Sequence, residues 1–152
     1  PKHFLSWSNN LTWRNFDLSV FFRGTFGFDV FNMRKYGMGL QGCGTDNVLR
    51  SAYLEDKNIR TGGGVISSYF LEDGSFIKLE NVTLGYNFTP KNRKLLDNMR
   101  IYLSAKNLFT LTGYSGNDPS IIDVNGIQPG VDSNSAYPTA TQLSLGVTLR
   151  FK

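Results

Sequence analysis

The residues best suited to hold a ligand fall together at Tyr114, Asn117 and Asp118, in a run that ends on Pro119. A phenol ring beside an amide and a carboxylate suits sugar binding, and binding residues concentrate on segments between regular elements. The same Asn-Asp-Pro run is also ordinary turn chemistry, because Asn and Asp side chains bond their own backbone. A second candidate, Asp123-Val124-Asn125-Gly126, has a calcium-loop flavour. It lacks a fitting earlier acid and a terminal Glu, so it reads as a turn. The glycine-rich run Gly37 to Gly44 lacks the Lys-Ser/Thr of a phosphate loop and no strand-to-helix context surrounds it.

Catalysis and metals find little support. The chain has one cysteine, Cys43, and one histidine, His3. An internal disulfide is impossible, and a thiolate or imidazole metal site or a Ser-His relay is not expected. No pair of carboxylates is brought together by spacing. The expectation is a protein that is not an enzyme and carries no cofactor. The charge of +4 comes from scattered Lys and Arg, which argues against nucleic acid as a partner.

The elements that must position these residues are strands. Charged residues make up 18% of the chain and aromatics 14%, with 16 glycines among the 152 residues. That balance suits an all-β chain rich in turns. The clearest stretch is Thr141–Lys152. Leu143, Leu145, Val147, Leu149 and Phe151 face one way, and Gln142, Ser144, Gly146, Thr148 and Arg150 the other. Period-two alternation of this kind is a strand with one apolar face. Leu5–Trp13 and Phe16–Phe22 alternate as well, with Arg14 and Asn15 between them. A two-residue hairpin then makes Trp13 and Phe16 direct cross-strand neighbours, both on the apolar row. The second stripe can be followed through Phe26, Phe28 and Val30.

Phe76–Phe88 is a third strand, with Val82, Leu84, Tyr86 and Phe88 on its apolar row. Lys78 and Glu80 share that row, so its upper part should lie outside lipid. Met99–Leu111 is a fourth, its row broken at Asn107. The stretches about 32–75 and about 113–138 show no sustained period and read as long loops, apart from a helical turn or two within Leu49–Asp56. Thr89–Asn98 is a shorter polar connection.

Connections of two, about forty-five, about ten and about twenty-five residues thus alternate short and long. Short periplasmic turns and long extracellular loops are the rule of outer-membrane barrels. Ten residues at ~3.3 Å, tilted by roughly 45°, span ~23 Å of the membrane normal, close to the ~25 Å apolar band. The small uncharged groups on the polar rows suit a wet barrel interior better than bulk water. The expected fold is an antiparallel transmembrane β-barrel. Five strands cannot close one, so the chain should be the last ~5 strands of a larger barrel. There is no long apolar helix and no leader at Pro1, which fits a mature chain, a fragment or a cytosolic protein.

Three stretches also carry a family resemblance. Ser67–Phe88, SSYFLEDGSFIKLENVTLGYNF, resembles a stretch near the end of the SusC/RagA-type TonB-dependent outer-membrane transporters. Ile101–Pro119 resembles that family's next strand and loop, and Ala136-Tyr137-Pro138 with the tail resembles its last strand. One departure is Ser120, where the family usually carries an acid after Asp-Pro. The resemblance implies a plugged barrel of about 22 strands in the bacterial outer membrane, importing oligosaccharides or peptides with a SusD-like surface lipoprotein. TonB would act through an N-terminal portion and plug that this chain does not contain. Outer-membrane lipid and the rest of the barrel and plug would be its other partners. The tail also looks like the signal read by the barrel-assembly machinery, at Ser144, Gly146, Leu149 and Phe151, although Lys152 follows the aromatic. Tyr102, Lys106 and Arg150 would line the solute path, meet the plug or form a solvated wall. The alternatives are a TonB-dependent siderophore or cobalamin receptor, and a soluble all-β binding or structural module.

Overall fold

A computed structural model describes residues 1–39, 47–54, 65–90, 96–122, 127–133 and 137–151. In chain order it contains β1 (His3–Trp13), β2 (Phe16–Phe26), β3 (Asp29–Asn32), α1 (Met33–Met38), α2 (Ser51–Leu54), β4 (Leu71–Asp73), β5 (Phe76–Phe88), β6 (Leu96–Thr112), β7 (Val131–Asp132) and β8 (Gln142–Phe151). Turns of 3-10 helix occupy Ser68–Phe70 and Pro119–Ile121. These residues form two compact units. The sheet unit holds Phe4–Thr25, Ile77–Leu111 and Thr139–Lys152; the loop unit holds Pro1–His3, Phe26–Phe76 and Thr112–Pro138.

The long strands form one five-stranded sheet in the order β1-β2-β5-β6-β8. Arg14, at φ 53°, turns the chain between β1 and β2. The predicted pairing of Trp13 with Phe16 also places Trp7 opposite Phe22, and their ring centroids lie 5.7 Å apart. The next junction brings Phe16 to Tyr86, at 4.8 Å. β6 and β8 run antiparallel, with Ile101 opposite Val147 and Leu103 opposite Leu145.

Along these strands the apolar row is exposed. Trp7, Trp13, Leu103, Leu145 and Leu149 are each about half exposed or more. A continuous apolar sheet face of this kind is not left to water in a monomeric soluble protein, and lipid is the solvent it fits. No helix among the described residues is long and apolar enough to cross a membrane, which leaves crossing by strands untouched.

The strand ends differ from expectation in two places. β6 begins at Leu96 rather than Met99, with an irregular pairing between Leu96 and Asn98. Its polar start hid the period. The stripe of β2 was expected to pass through Phe28 and Val30, but the strand stops at Phe26 because Gly27 turns the chain at φ 70°. Val30 instead lies fully buried in β3. Asn107, expected to interrupt the apolar row, adopts φ 52°. It is tied to the stretch before β8: its carbonyl accepts from the Thr141 hydroxyl and its amide donates to the Ala140 carbonyl.

The stretch 32–75 is not without regular elements. β3 pairs antiparallel with β4, Val30 opposite Glu72, and parallel with β7, Phe31 opposite Val131. Phe70 anchors a small core with Phe31, Tyr36 and Tyr69 around it, and its ring meets Tyr36 edge-on at 5.3 Å. α2 covers part of the helical turn expected within Leu49–Asp56. Cys43, Gly62 to Gly64, Asp123 to Gly126, Ala136, Asp56, Lys152 and most of the glycine-rich run lie outside the described residues.

Candidate functional site

Two polar assemblies stand out, one in each unit. On the polar face of the sheet unit an ion pair crosses three strands. Asp17 on β2 accepts from Arg100 on β6: Nε reaches Oδ1 at 3.1 Å, and a second guanidinium nitrogen reaches Oδ2. Between them on β5 lies Gly85, where a Cβ would stand 2.5 Å from both carboxylate oxygens. Glycine is therefore what lets the pair reach across the middle strand. Asn87 adds a bond to Asp17 at 2.8 Å and exchanges bonds with the turn residue Asn15. Further along the same face Thr83, Ser104 and Asn81 are linked through their side chains. Tyr102 packs across Gly146 on β8, where a Cβ would stand only 2.3 Å from the nearest ring carbon. Arg150 sits 3.9 Å from Asp97 with its side chain largely exposed, a weak pair. Lys78 is buried, with its ammonium donating to the Thr139 hydroxyl at 2.7 Å, and Glu80 accepts from Arg23 at 3.2 Å.

The second assembly belongs to the loop unit. Asn32 ends β3 and caps α1, its Oδ1 accepting from the Lys35 amide at 2.8 Å. That cap fixes the helical turn that carries Arg34 and Lys35. The Asn32 amide donates to Glu72 on β4 and to the Ser115 hydroxyl. Ser115 donates both its hydroxyl, at 2.8 Å, and its backbone N–H, at 2.9 Å, to the Glu72 carboxylate. Lys35 stands 3.6 Å from the same carboxylate and over the Tyr69 ring. Burial pushes the Glu72 carboxyl up, but the Ser115 donors, the Lys35 charge and Asn32 outweigh it, so the group lies below the ordinary glutamate value. Asp73 is likewise held low, chiefly by the Ser75 hydroxyl and backbone N–H. Of these, Asn32, Arg34, Lys35, Glu72, Asp73 and Ser115 line a cavity of about 600 Å³ with Leu49, Arg50, Ser51 and Gly113.

The ligand candidates read from the sequence sit beside this cavity within the loop unit. Tyr114 is buried, and its hydroxyl donates to Asp132 at 2.6 Å. Burial, and then that bond, raise its phenol far above the ordinary value. Asp118 is buried as well and caps the 3-10 turn, accepting from the Ser120 amide at 2.9 Å, with Pro119 in the first position. Asn117 is exposed and accepts from Arg34 at 2.7 Å. Glu72, Asn32 and Arg34 escaped the sequence reading. Their partners lie 40 to 83 residues away, and only the cap at Asn32 leaves a local signal. Among the described residues no three His, Cys, Asp or Glu side chains gather as metal ligands. The proposed tail positions Ser144, Gly146, Leu149 and Phe151 all lie on β8, the first two on its polar face.

An antiparallel sheet with a lipid-suited face, a polar opposite face and a loop unit defines a section of an outer-membrane β-barrel. No family model matches the chain. It is 26% identical over 99% of its length to TonB-dependent receptor P3 of Formosa agariphila, and 28% identical over 95% of its length to TonB-dependent receptor SusC of Bacteroides thetaiotaomicron. It superposes on the solved RagAB peptide transporter with a TM-score of 0.72 and 27% identity over 91% of the chain. The chain spans only 16%, 14% and 16% of these proteins respectively. It is thus homologous, along nearly its whole length, to part of the SusC/RagA-type TonB-dependent transporters, and its place is the bacterial outer membrane. A soluble all-β module is set aside by the same similarity.

Proposed function

We propose that the chain supplies the closing strands and two outer loops of a TonB-dependent importer for oligosaccharides or peptides. The supporting observation is similarity along nearly the whole chain to both a SusC and a solved peptide transporter. In this reading the sheet unit is wall: one face meets lipid, and the other carries the Asp17–Arg100 pair toward the interior. The loops about 32–75 and 113–138 would be extracellular, and there they would help form the solute chamber beneath a SusD-like lipoprotein. The plug and the segment that engages TonB would belong to other parts of the whole protein. Ser144, Gly146, Leu149 and Phe151 would serve barrel assembly. Asn117, exposed and bonded to Arg34, is the best placed of Tyr114, Asn117 and Asp118 to meet solute. Among the described residues, the polar groups of the loop unit suit binding and the strands suit scaffolding.

The test is deletion of the whole gene, followed by growth on single oligosaccharides or peptide mixtures as sole nutrient, with and without TonB. Loss of growth on one class, reproduced by TonB depletion, is expected. A deletion strain impaired only when iron chelates or cobalamin are limiting would shift the reading to a siderophore or cobalamin receptor. Unimpaired uptake of every solute would sink it.

A further inference from the structure

The cavity in the loop unit has an uneven charge lining. Arg34, Lys35 and Arg50 face it, together with Glu72 and Asp73. The two acids are turned to their own neighbours. Glu72 takes Asn32 and both Ser115 donors, with Lys35 beside it. Asp73 accepts the Ser75 hydroxyl and N–H on one oxygen. What remains is a pair of guanidinium groups. Arg34 bonds the neutral Asn117, and Arg50, exposed, has no carboxylate partner among the described residues. Ser51 and Ser115 add hydroxyls to the same lining. A volume of about 600 Å³ lies within the usual range for ligand pockets.

A guanidinium offers a planar fork of donors that matches a carboxylate. Lysine 35 is neutralised in place by Glu72, which leaves the arginines as the selective groups. We propose that this cavity receives a carboxylate of the imported solute, with Arg50 and Arg34 as the groups that recognise it. The inference rests on the importer reading above and narrows its substrate to acidic solutes. The carboxylate could come from a uronic acid or from a peptide, and the test separates them.

The full-length protein is purified in detergent, with any lipoprotein that accompanies it, and titrated by calorimetry with two pairs of probes. One pair is trigalacturonate and maltotriose. The other is N-acetylated penta-alanine with a free C-terminus and the same peptide amidated. One carboxylate probe is expected to bind about tenfold more tightly than its neutral counterpart, and which pair does so names the source. Arg50→Gln should erase most of that preference, Arg50→Lys should keep part of it, and Arg34→Gln combined with Arg50→Gln should abolish it. Shifted mobility of the unboiled protein on a gel checks that each variant still assembles. Equal binding within both pairs, no binding of either carboxylate, or a preference that survives the double substitution each overturn the proposal. Uptake tells the two readings apart. If cells carrying the wild-type or doubly substituted transporter import neutral solutes through TonB, only the carboxylate site has failed. If the wild type imports nothing, the importer reading has failed with it.

Discussion

Gly85 shows how a residue without a side chain can hold a position through its neighbours. Glycine inside a strand ordinarily costs roughly 0.5–1 kcal/mol relative to alanine. Here an added methyl would stand 2.5 Å from both oxygens of Asp17, so it must push apart the Asp17–Arg100 pair that crosses above it. The sign of Gly85→Ala therefore depends on its neighbour. In the full-length barrel refolded from urea, Gly85→Ala should destabilise the wild type. In an Asp17→Ala background it should become neutral or stabilising by up to ~1 kcal/mol, because residues in contact do not add. Additive effects in the two backgrounds would mean that the ion pair does not set this glycine. Glu72 makes a second residue-scale case. Its folded carboxyl lies below the ordinary 4.5, so its contribution is present above that pH and is lost as pH falls through the lower folded value. Hydrogen exchange of residues 65–75 should hold steady from pH 7 to 5 and speed up below about 4.5. Glu72→Gln should speed it already at pH 6, since an amide nitrogen cannot accept from Ser115, and should flatten the pH dependence. Wild-type exchange unchanged by acid, after correction for intrinsic rates, would refute the assignment.

At the scale of elements, the join between β6 and β8 turns on one pair. Tyr102 lies opposite Gly146 in the register and covers it. Gly146→Ala should lower the fraction of full-length protein that assembles, read by mobility on unboiled gels. Tyr102→Ala should restore much of that fraction to the Gly146→Ala protein, since the methyl then meets no ring. If the loss persists without the ring, the glycine is read directly by the assembly machinery. Strands such as β5 and β8 were legible because each is long enough for a period-two pattern to repeat. The loop unit was not. β3, β4 and β7 run four, three and two residues, too short for a period to show. The parallel pairing of Phe31 with Val131 joins positions far apart in sequence, which no local pattern encodes. α1 left a faint trace, a cap at Asn32 before Met33–Met38, but a helix of 6 residues containing Gly37 reads as loop. The cavity was hidden for the same reason: Asn32, Glu72 and Ser115 come from three separate segments.

At the scale of the whole molecule, the two outer strands decide what the chain can be alone. β1 and β8 lie at the ends of the five-stranded order, so among the described residues each has a strand neighbour on one side only. β1 has 11 residues and β8 has 10, and about half of their backbone groups point away from that neighbour. In hydrocarbon each unpaired group costs several kcal/mol. The sum for two edges is tens of kcal/mol, well above the ~5–15 kcal/mol that holds a typical domain together. No side-chain pairing on the polar face can offset that, since partly exposed ion pairs contribute about 1 kcal/mol or less. The edges must be closed by further strands, which is consistent with a chain spanning 16% of the receptor it resembles. Exported alone to the outer membrane, the 152-residue chain should therefore be degraded or aggregate, while the full-length protein should give a heat-modifiable, protease-resistant barrel. Restoring the remaining strands of the full-length protein in steps should recover that species only when enough are present to give both β1 and β8 a second strand neighbour. A protease-resistant species of monomer size from the chain alone would overturn the edge argument, because such a monomer would have found some way to satisfy both edges without further strands.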